Sequence, residues 1–363
     1  MPLVRGTEVL PVDPMAPDRA SIERAAEVIR DGGLVAFPTE TVYGLGANGL
    51  DGEAVRRIFR AKGRPADNPL ILHFAALEAV LPVVREVPDW AREVARRFWP
   101  GPLTLVLKRA RLVPAVVTAG LDTVAVRVPD NVIALQLIRA AGVPIAAPSA
   151  NLSGKPSPTT AEHVVADLAG KIEMILDGGP TGIGVESTVL DASGGRPRIL
   201  RPGGVSREAL EEVLGPLEEP VTASDRPRSP GMKYTHYSPD ATLYLVEHPN
   251  RERVARTVGE LARRFLAEGR RVGIIAGAEH VDEYLALAGH GWLTVMSLGR
   301  EDREVAANLF AALRAMDERG VEVLICEGYP ETGLGYAVMN RLRKAADRII
   351  TSDAADFNEK GQS

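Results

Sequence analysis

Cysteine is nearly absent from the chain: Cys326 is the only one in 363 residues, so neither an intramolecular disulfide nor a cysteine-built zinc cage can form. Aromatic residues are scarce at 5 %, too few among the basic residues to build a stacking platform for RNA bases. An excess of positive charge is missing too. With 43 Lys and Arg against 48 Asp and Glu the formal charge is -5, which argues against broad, charge-driven binding of nucleic acid and leaves room only for a local RNA contact. No apolar run is long enough to span a bilayer, and residues 1–20 contain no apolar core of signal-peptide length. The expectation is a cytoplasmic protein with no membrane partner and a reduced interior, Cys326 lying at the end of a buried strand. Also missing are a Gly-Lys-Ser/Thr phosphate loop, a G-x-S-x-G elbow and any His or carboxylate spacing that suggests a metal cage or nucleophilic triad. Chemistry must therefore rest on orientation and charge.

What is present is a change of pattern along the chain. At this length two domains are expected. Up to residue 214 helix-like and strand-like periods alternate, with helices over 21–30 and 53–61, a helical stretch ending near Trp99, and strands over 34–37, 70–74, 103–107, 124–128, 144–147, 173–176 and 187–190. Thr159 with Glu162 reads as a capping box opening the next helix. Residues 215–240 are rich in Pro, Ser and charge and follow neither period, as a linker would. Beyond them, strands over 242–246, 272–275, 293–297, 321–326 and 348–351 alternate strictly with amphipathic helices, which implies a small parallel sheet covered on both faces. The expected organisation is an α/β domain over 1–214, a linker over 215–240 that could act as a lid, and a smaller parallel-sheet α/β domain over 241–363.

Several polar residues sit where this pattern gives them no structural duty. Arg56, Arg57 and Arg60 fall on a helix and read as its solvated face. Lys62 and Arg64 instead flank Gly63 in the turn expected beyond it, followed by Asn68 and His73 around a Pro-broken loop, and such fixed cations suit a polyphosphate or carboxylate. A second polar stretch, Ala147–Ser157, places Ser149, Asn151, Lys155 and Ser157 after a strand and before a helix N-terminus, where backbone donors favour a phosphate. Arg127 lies in an otherwise apolar strand and needs an anionic partner, either a structural carboxylate or a ligand. Gly44, Gly46 and Gly49 match G-x-G-x-x-G without the flanking strand and helix of a dinucleotide fingerprint, and read as loop glycines.

Taken in order, FPTETVYGLG, KGRPADNPL, WPGPLTLVL, VAVRVPDN, APSANLSGKPSPT and ESTVLD resemble the YrdC-type threonylcarbamoyl-AMP synthases. SPGMKYTHYSP and the C-terminal pattern resemble the long form of that family, with its additional Rossmann-like domain. The resemblance implies a twisted, open, mixed sheet with helices on both faces in the first domain. It also implies a nucleotidyltransferase that condenses L-threonine, bicarbonate and ATP into threonylcarbamoyl-AMP and pyrophosphate, with Mg²⁺ on the ATP phosphates and no metal ligands from protein side chains. Downstream partners would be the machinery that transfers the threonylcarbamoyl group to tRNA. Carried over by motif, Thr41, His73, Arg127, Ala147 and Ser187 surround threonine, while Arg64, Asn68, Thr123, Ser149, Ser157, Arg201 and Tyr237 surround ATP. Lys62, Arg64, Ser149 and Asn151 are the catalytic set. Two readings from other classes remain beside it: an RNA-binding module without catalysis, and a related carbamoyl- or nucleotidyltransferase acting on another amine.

Overall fold

The computed structural model describes residues 6–218 and 237–351, which divide between Tyr234 and Thr235 into two units, inside the stretch expected as linker. The proposed lid therefore lies largely outside the described residues.

In the first unit the elements run β1 (Glu8–Pro11), α1 (Arg19–Arg30), β2 (Val35–Phe37), β3 (Gly44–Asn48), α2 (Gly52–Lys62), β4 (Ile71–His73), α3 (Asp89–Phe98), β5 (Leu103–Lys108), β6 (Thr123–Arg127), α4 (Val132–Ala141), β7 (Ile145–Ala147), α5 (Ala161–Leu168), β8 (Met174–Asp177), β9 (Thr188–Asp191), β10 (Arg198–Arg201) and α6 (Arg207–Leu214). Its ten strands form one mixed sheet in the order β1-β8-β2-β3-β7-β4-β6-β5-β9-β10. One face packs into the main core with residues of α2, α3, α5 and α6. On the other face α1 and α4 cover β8, β2 and β7 through Ile22, Ile29, Ile133 and Leu137 against Val35, Phe37, Ile145 and Leu176. Beyond them that face carries a small apolar cluster made of strand residues alone, Ile71, Val106, Ala125 and Val189, with Leu200 against it. The helices thus flank the sheet on both sides, but unevenly.

Three local expectations are corrected. GLGAN is a strand, β3, because its glycines serve close packing rather than a turn: a Cβ on Gly46 would lie 2.7 Å from Ile145 Cγ2 and 2.8 Å from Phe37 Cε1. Lys62 is the last residue of α2 and not part of the turn, which begins at Gly63 with φ of 61°. It continues the buried stripe of Val55, Ile58 and Phe59, so its stem is held in the core. Thr160, rather than Thr159, caps α5, its hydroxyl accepting from His163 N, because Thr159 is buried and its carbonyl accepts from Thr181 N.

The second unit follows the expected alternation: β11 (Thr242–Val246), α7 (Arg251–Ala267), β12 (Val272–Ala276), α8 (Val281–Leu285), β13 (Leu293–Ser297), α9 (Asp302–Glu318), β14 (Val323–Glu327), α10 (Gly335–Ala345) and β15 (Arg348–Ile350). All five strands are parallel, in the order β13-β12-β14-β11-β15. Central strands buried on both faces need continuous apolar sequence, which VGIIA and VLICE provide. Among the described residues no helix is long and apolar enough to cross a membrane.

Candidate active site

Strand register decides which side chains share a surface. The pairs Ile71↔Ala125, His73↔Arg127, Ile71↔Ala147, Val106↔Ala125 and Thr104↔Val189 put all of these on one face, since directly opposed residues point the same way. Their neighbours Leu72, Leu105, Val126, Ala146 and Leu190 point into the main core. The strand-only apolar cluster is therefore a floor, rimmed by His73 and Arg127 at the ends of β4 and β6, by Thr104, and by Thr123 at the start of β6.

Loops from the strand ends bring in the remaining groups. Arg127 is 4 % exposed and its partner is Glu40, at 2.7 Å, with Thr41 Oγ1 accepting a second bond at 3.0 Å and Gly101 O one from Nε at 3.3 Å. Thr39 in turn meets Thr41 at 2.8 Å and donates to Val42 O at 2.6 Å, so the turn that carries Glu40 is fixed from within. Ser187 meets Thr104 at 2.8 Å, and Arg201 Nη2 donates to Ser187 O at 2.8 Å and to its Oγ at 3.2 Å. Ser157 is bonded to the buried Glu186 at 2.6 Å, one residue away from Ser187. The Ala147–Ser157 stretch is anchored by Lys62, whose ammonium donates to the carbonyls of Ser149, at 2.6 Å, and of Asn151. Ser149 Oγ closes onto Asn151 Oδ1 at 2.6 Å, while Asn151 Nδ2 donates to Leu152 O and Lys155 O.

The segment of residues 39–43 joins these parts. Ala150 N donates to Tyr43 O, Tyr43 N to Pro158 O, Ile183 N to Glu40 O and Gly184 N to Thr41 O, all within 2.8–3.1 Å. The Tyr43 hydroxyl donates to Gly179 O at 2.7 Å and accepts from Gly178 N; burial and the Asp177 charge push its pKa up, so it stays a donor. The glycine-rich loop before Ser187 is thus tied, through residues 39–43, to the second polar stretch.

His73 has an environment of its own. Complete burial, with Arg127 adjacent, lowers its pKa to about 3, and Nδ1 lies 3.2 Å from Ile71 O. The ring is neutral throughout the physiological range and holds an extra proton poorly. The backbones of Ile71 and Ile145 are the ring's hydrogen-bond partners.

The structure thus brings Thr41 to Arg127, Ser187 to Arg201, and Lys62 to Ser149 and Asn151, with Ala147 at the end of β7 beside Ile71. Arg64 reaches the carbonyls of Asn68 and Pro69 at 3.4 Å, and the Asn68 amide is fully buried with no hydrogen-bond partner among the described residues. Tyr237 belongs to the second unit, stacked on Phe310 with a ring separation of 5.2 Å and with Arg341 over its ring. Glu40, Glu186 and Thr104 were not anticipated. The only sequence signal for any of them was the need of Arg127 for an anion.

A family described as "Telomere recombination" matches residues 27–203, and one described as "Threonylcarbamoyl-AMP synthase, C-terminal domain" matches residues 205–347. A threonylcarbamoyl-AMP synthase of Pyrococcus abyssi is 55 % identical, over 91 % of this chain and 95 % of the relative. The chain belongs to the threonylcarbamoyl-AMP synthase family. Another such synthase, from Bacillus subtilis, is 50 % identical over 93 % of this chain and 96 % of its own length. Among solved structures, P. abyssi Sua5 complexed with L-threonine covers 95 % of this chain, and all of its own, at 52 % identity with a TM-score of 0.89. Membership of the synthase family spans both units, as the resemblance implied, and sets aside the reading of a non-catalytic RNA-binding module.

Proposed function

We propose that this chain joins L-threonine, bicarbonate and ATP into threonylcarbamoyl-AMP with release of pyrophosphate, in the cytoplasm, for the machinery that modifies tRNA. The observation that carries this reading is the buried rim of Arg127, Thr41, His73, Ser187 and Arg201 around a small apolar floor. A threonine carboxylate beside Arg127 would take over donors now given to Glu40 and Thr41, and the floor suits the substrate's methyl group. Arg201, Ser157, Ser149, Arg64, Asn68 and Thr123 are assigned to ATP. Lys62 and Asn151 hold the loop that presents Ser149.

The reaction asks little covalent help from protein. Threonine's amine attacks the carbon of bicarbonate, water leaves, and an oxygen of the resulting carbamate displaces pyrophosphate from the α-phosphorus. The side chains contribute by bringing two anions into contact and neutralising their charge. Mg²⁺, when bound, would supply further neutralisation at the phosphates. Such an ion suits oxygen ligands, which the ATP phosphates themselves supply.

A pyrophosphate-release assay with threonine and bicarbonate omitted in turn tests this function; release that continues without either one would refute it, and release supported equally by another amino acid would assign another amine. Arg64→Ala should reduce turnover or ATP affinity about ten- to hundredfold, the worth of one or two charge-assisted bonds. An unchanged rate would remove Arg64 from the site.

A further inference from the structure

The second unit contains a crevice that the proposed reaction does not use. In the order β13-β12-β14-β11-β15, β11 leads through α7 to β12 on one side, while its neighbour β14 leads through α10 to β15 on the other. The loops leaving the carboxyl ends of β11 and β14 therefore part, and ligands of parallel α/β sheets bind at such a point. A cavity of about 510 Å³ lies there, between residues 247–251 of one loop and 328–331 of the other. That volume falls within the range of small-molecule sites and is generous for a free amino acid.

The lining narrows the ligand class. Arg343 of α10 bridges the two loops, bonded to both oxygens of Glu247 at 2.9 and 2.7 Å and to both oxygens of Glu331 at 2.8 and 2.6 Å. Each of these oxygens retains a lone pair, so the mouth of the crevice holds two oriented carboxylates ready to accept from hydroxyls. Tyr329, with the Arg251 guanidinium over its ring at 5.3 Å, and Met339 form one wall, and the buried Tyr329 hydroxyl has no hydrogen-bond partner among the described residues. A bound molecule with an acceptor would satisfy it. A polyphosphate does not fit: the turn after β11 is Glu-His-Pro with no glycine to let a diphosphate approach, and the two lining cations, Arg251 and Arg343, are already bonded to four carboxylates, Glu279, Glu327, Glu247 and Glu331, which leaves the crevice an excess of negative charge. A metal does not fit either. Glu279, His280 and Glu327 lie close together behind the crevice, but Glu327 already accepts from Arg251, His280, Tyr284 and Gly277 N.

We propose that this crevice is a second binding site, for a ribonucleoside whose vicinal 2′,3′-diol is held by Glu247 or Glu331 and whose base lies against Tyr329 and Met339. The test is equilibrium dialysis of the full chain with labelled adenosine, in the presence of an excess of a non-hydrolysable ATP analogue that fills the first unit's site and that the two carboxylates exclude from the second. One equivalent of adenosine should bind, and 2′-deoxyadenosine, which lacks the diol, should bind at least tenfold more weakly. The double substitution Glu247→Gln with Glu331→Gln should also weaken adenosine tenfold or more while leaving the melting of the chain intact. No bound equivalent, equal binding of 2′-deoxyadenosine, or a folded double variant that binds normally would each overturn the proposal. Free ribose that binds as tightly as adenosine would overturn the assignment of the base. Should the variant fail to fold, the deoxy comparison on the native chain still decides.

Discussion

Arg127 shows how much one partner can matter. Its guanidinium is buried and neutralised by Glu40, which is itself mostly enclosed. Replacing Glu40 with Gln leaves that charge without an anion in the free chain, at a cost of about 3 kcal/mol or more. Threonine, bringing a carboxylate, should recover part of this loss. The melting temperature of Glu40→Gln should therefore fall, and threonine should raise it by more than it raises that of the native chain; equal shifts would count against a threonine carboxylate at Arg127. His73 gives a pH dependence of definite sign. Its folded pKa of about 3 lies below the ordinary 6.5, so the unfolded chain binds the extra proton between these values and stability falls as pH drops from about 6.5 toward 3. In His73→Gln this part of the acid destabilisation should vanish, visible as a shallower fall of denaturant midpoint with pH; an unaltered slope would contradict the buried, neutral ring. At this scale the sequence disclosed the cations and the Ser and Asn residues, since their placement beside Gly and Pro had no structural motive. It did not disclose Glu40, Glu186 or Thr104, whose partners lie far away in the chain.

Among the elements, β3 is the most instructive. Three glycines in a short stretch resemble a loop, yet the strand runs between β2 and β7 where Phe37 and Ile145 leave no space for a side chain. Gly46→Ala should thus overpack the sheet by about 1–3 kcal/mol, read as a drop in melting temperature. A neutral or stabilising result would mean that Phe37 can retreat. The helix α2 teaches the complementary lesson. Its 55-58-59-62 stripe is regular enough to read as a buried face, but a lysine at its end looked like the start of a turn until the carbonyls of Ser149 and Asn151 were seen to receive it. Helices and buried strands were legible because their periodicity is local. The shared face of β4, β6, β5 and β9 was not, because it depends on register between separate segments, Ile71 facing Ala125 and Thr104 facing Val189.

For the molecule as a whole, the division at residue 234 separates two sheets, each with its own hydrophobic core. A fragment over 235–363 should therefore fold alone and melt in one cooperative transition, checked by circular dichroism. A fragment with no transition would show that its core is incomplete without the rest of the chain. The regular alternation of the second unit made its parallel sheet readable from the sequence, whereas its crevice depends on strand order, which periodicity does not record.

Cys326 lies in the central strand β14, fully buried, with burial and the adjacent Glu327 raising its pKa well above the ordinary thiol range. It is therefore silent toward alkylating reagents in the native state. One engineered surface cysteine in each sheet would then carry a donor and an acceptor dye on an otherwise unreactive chain, and energy transfer between them would report in solution whether the two halves change separation as substrates are added.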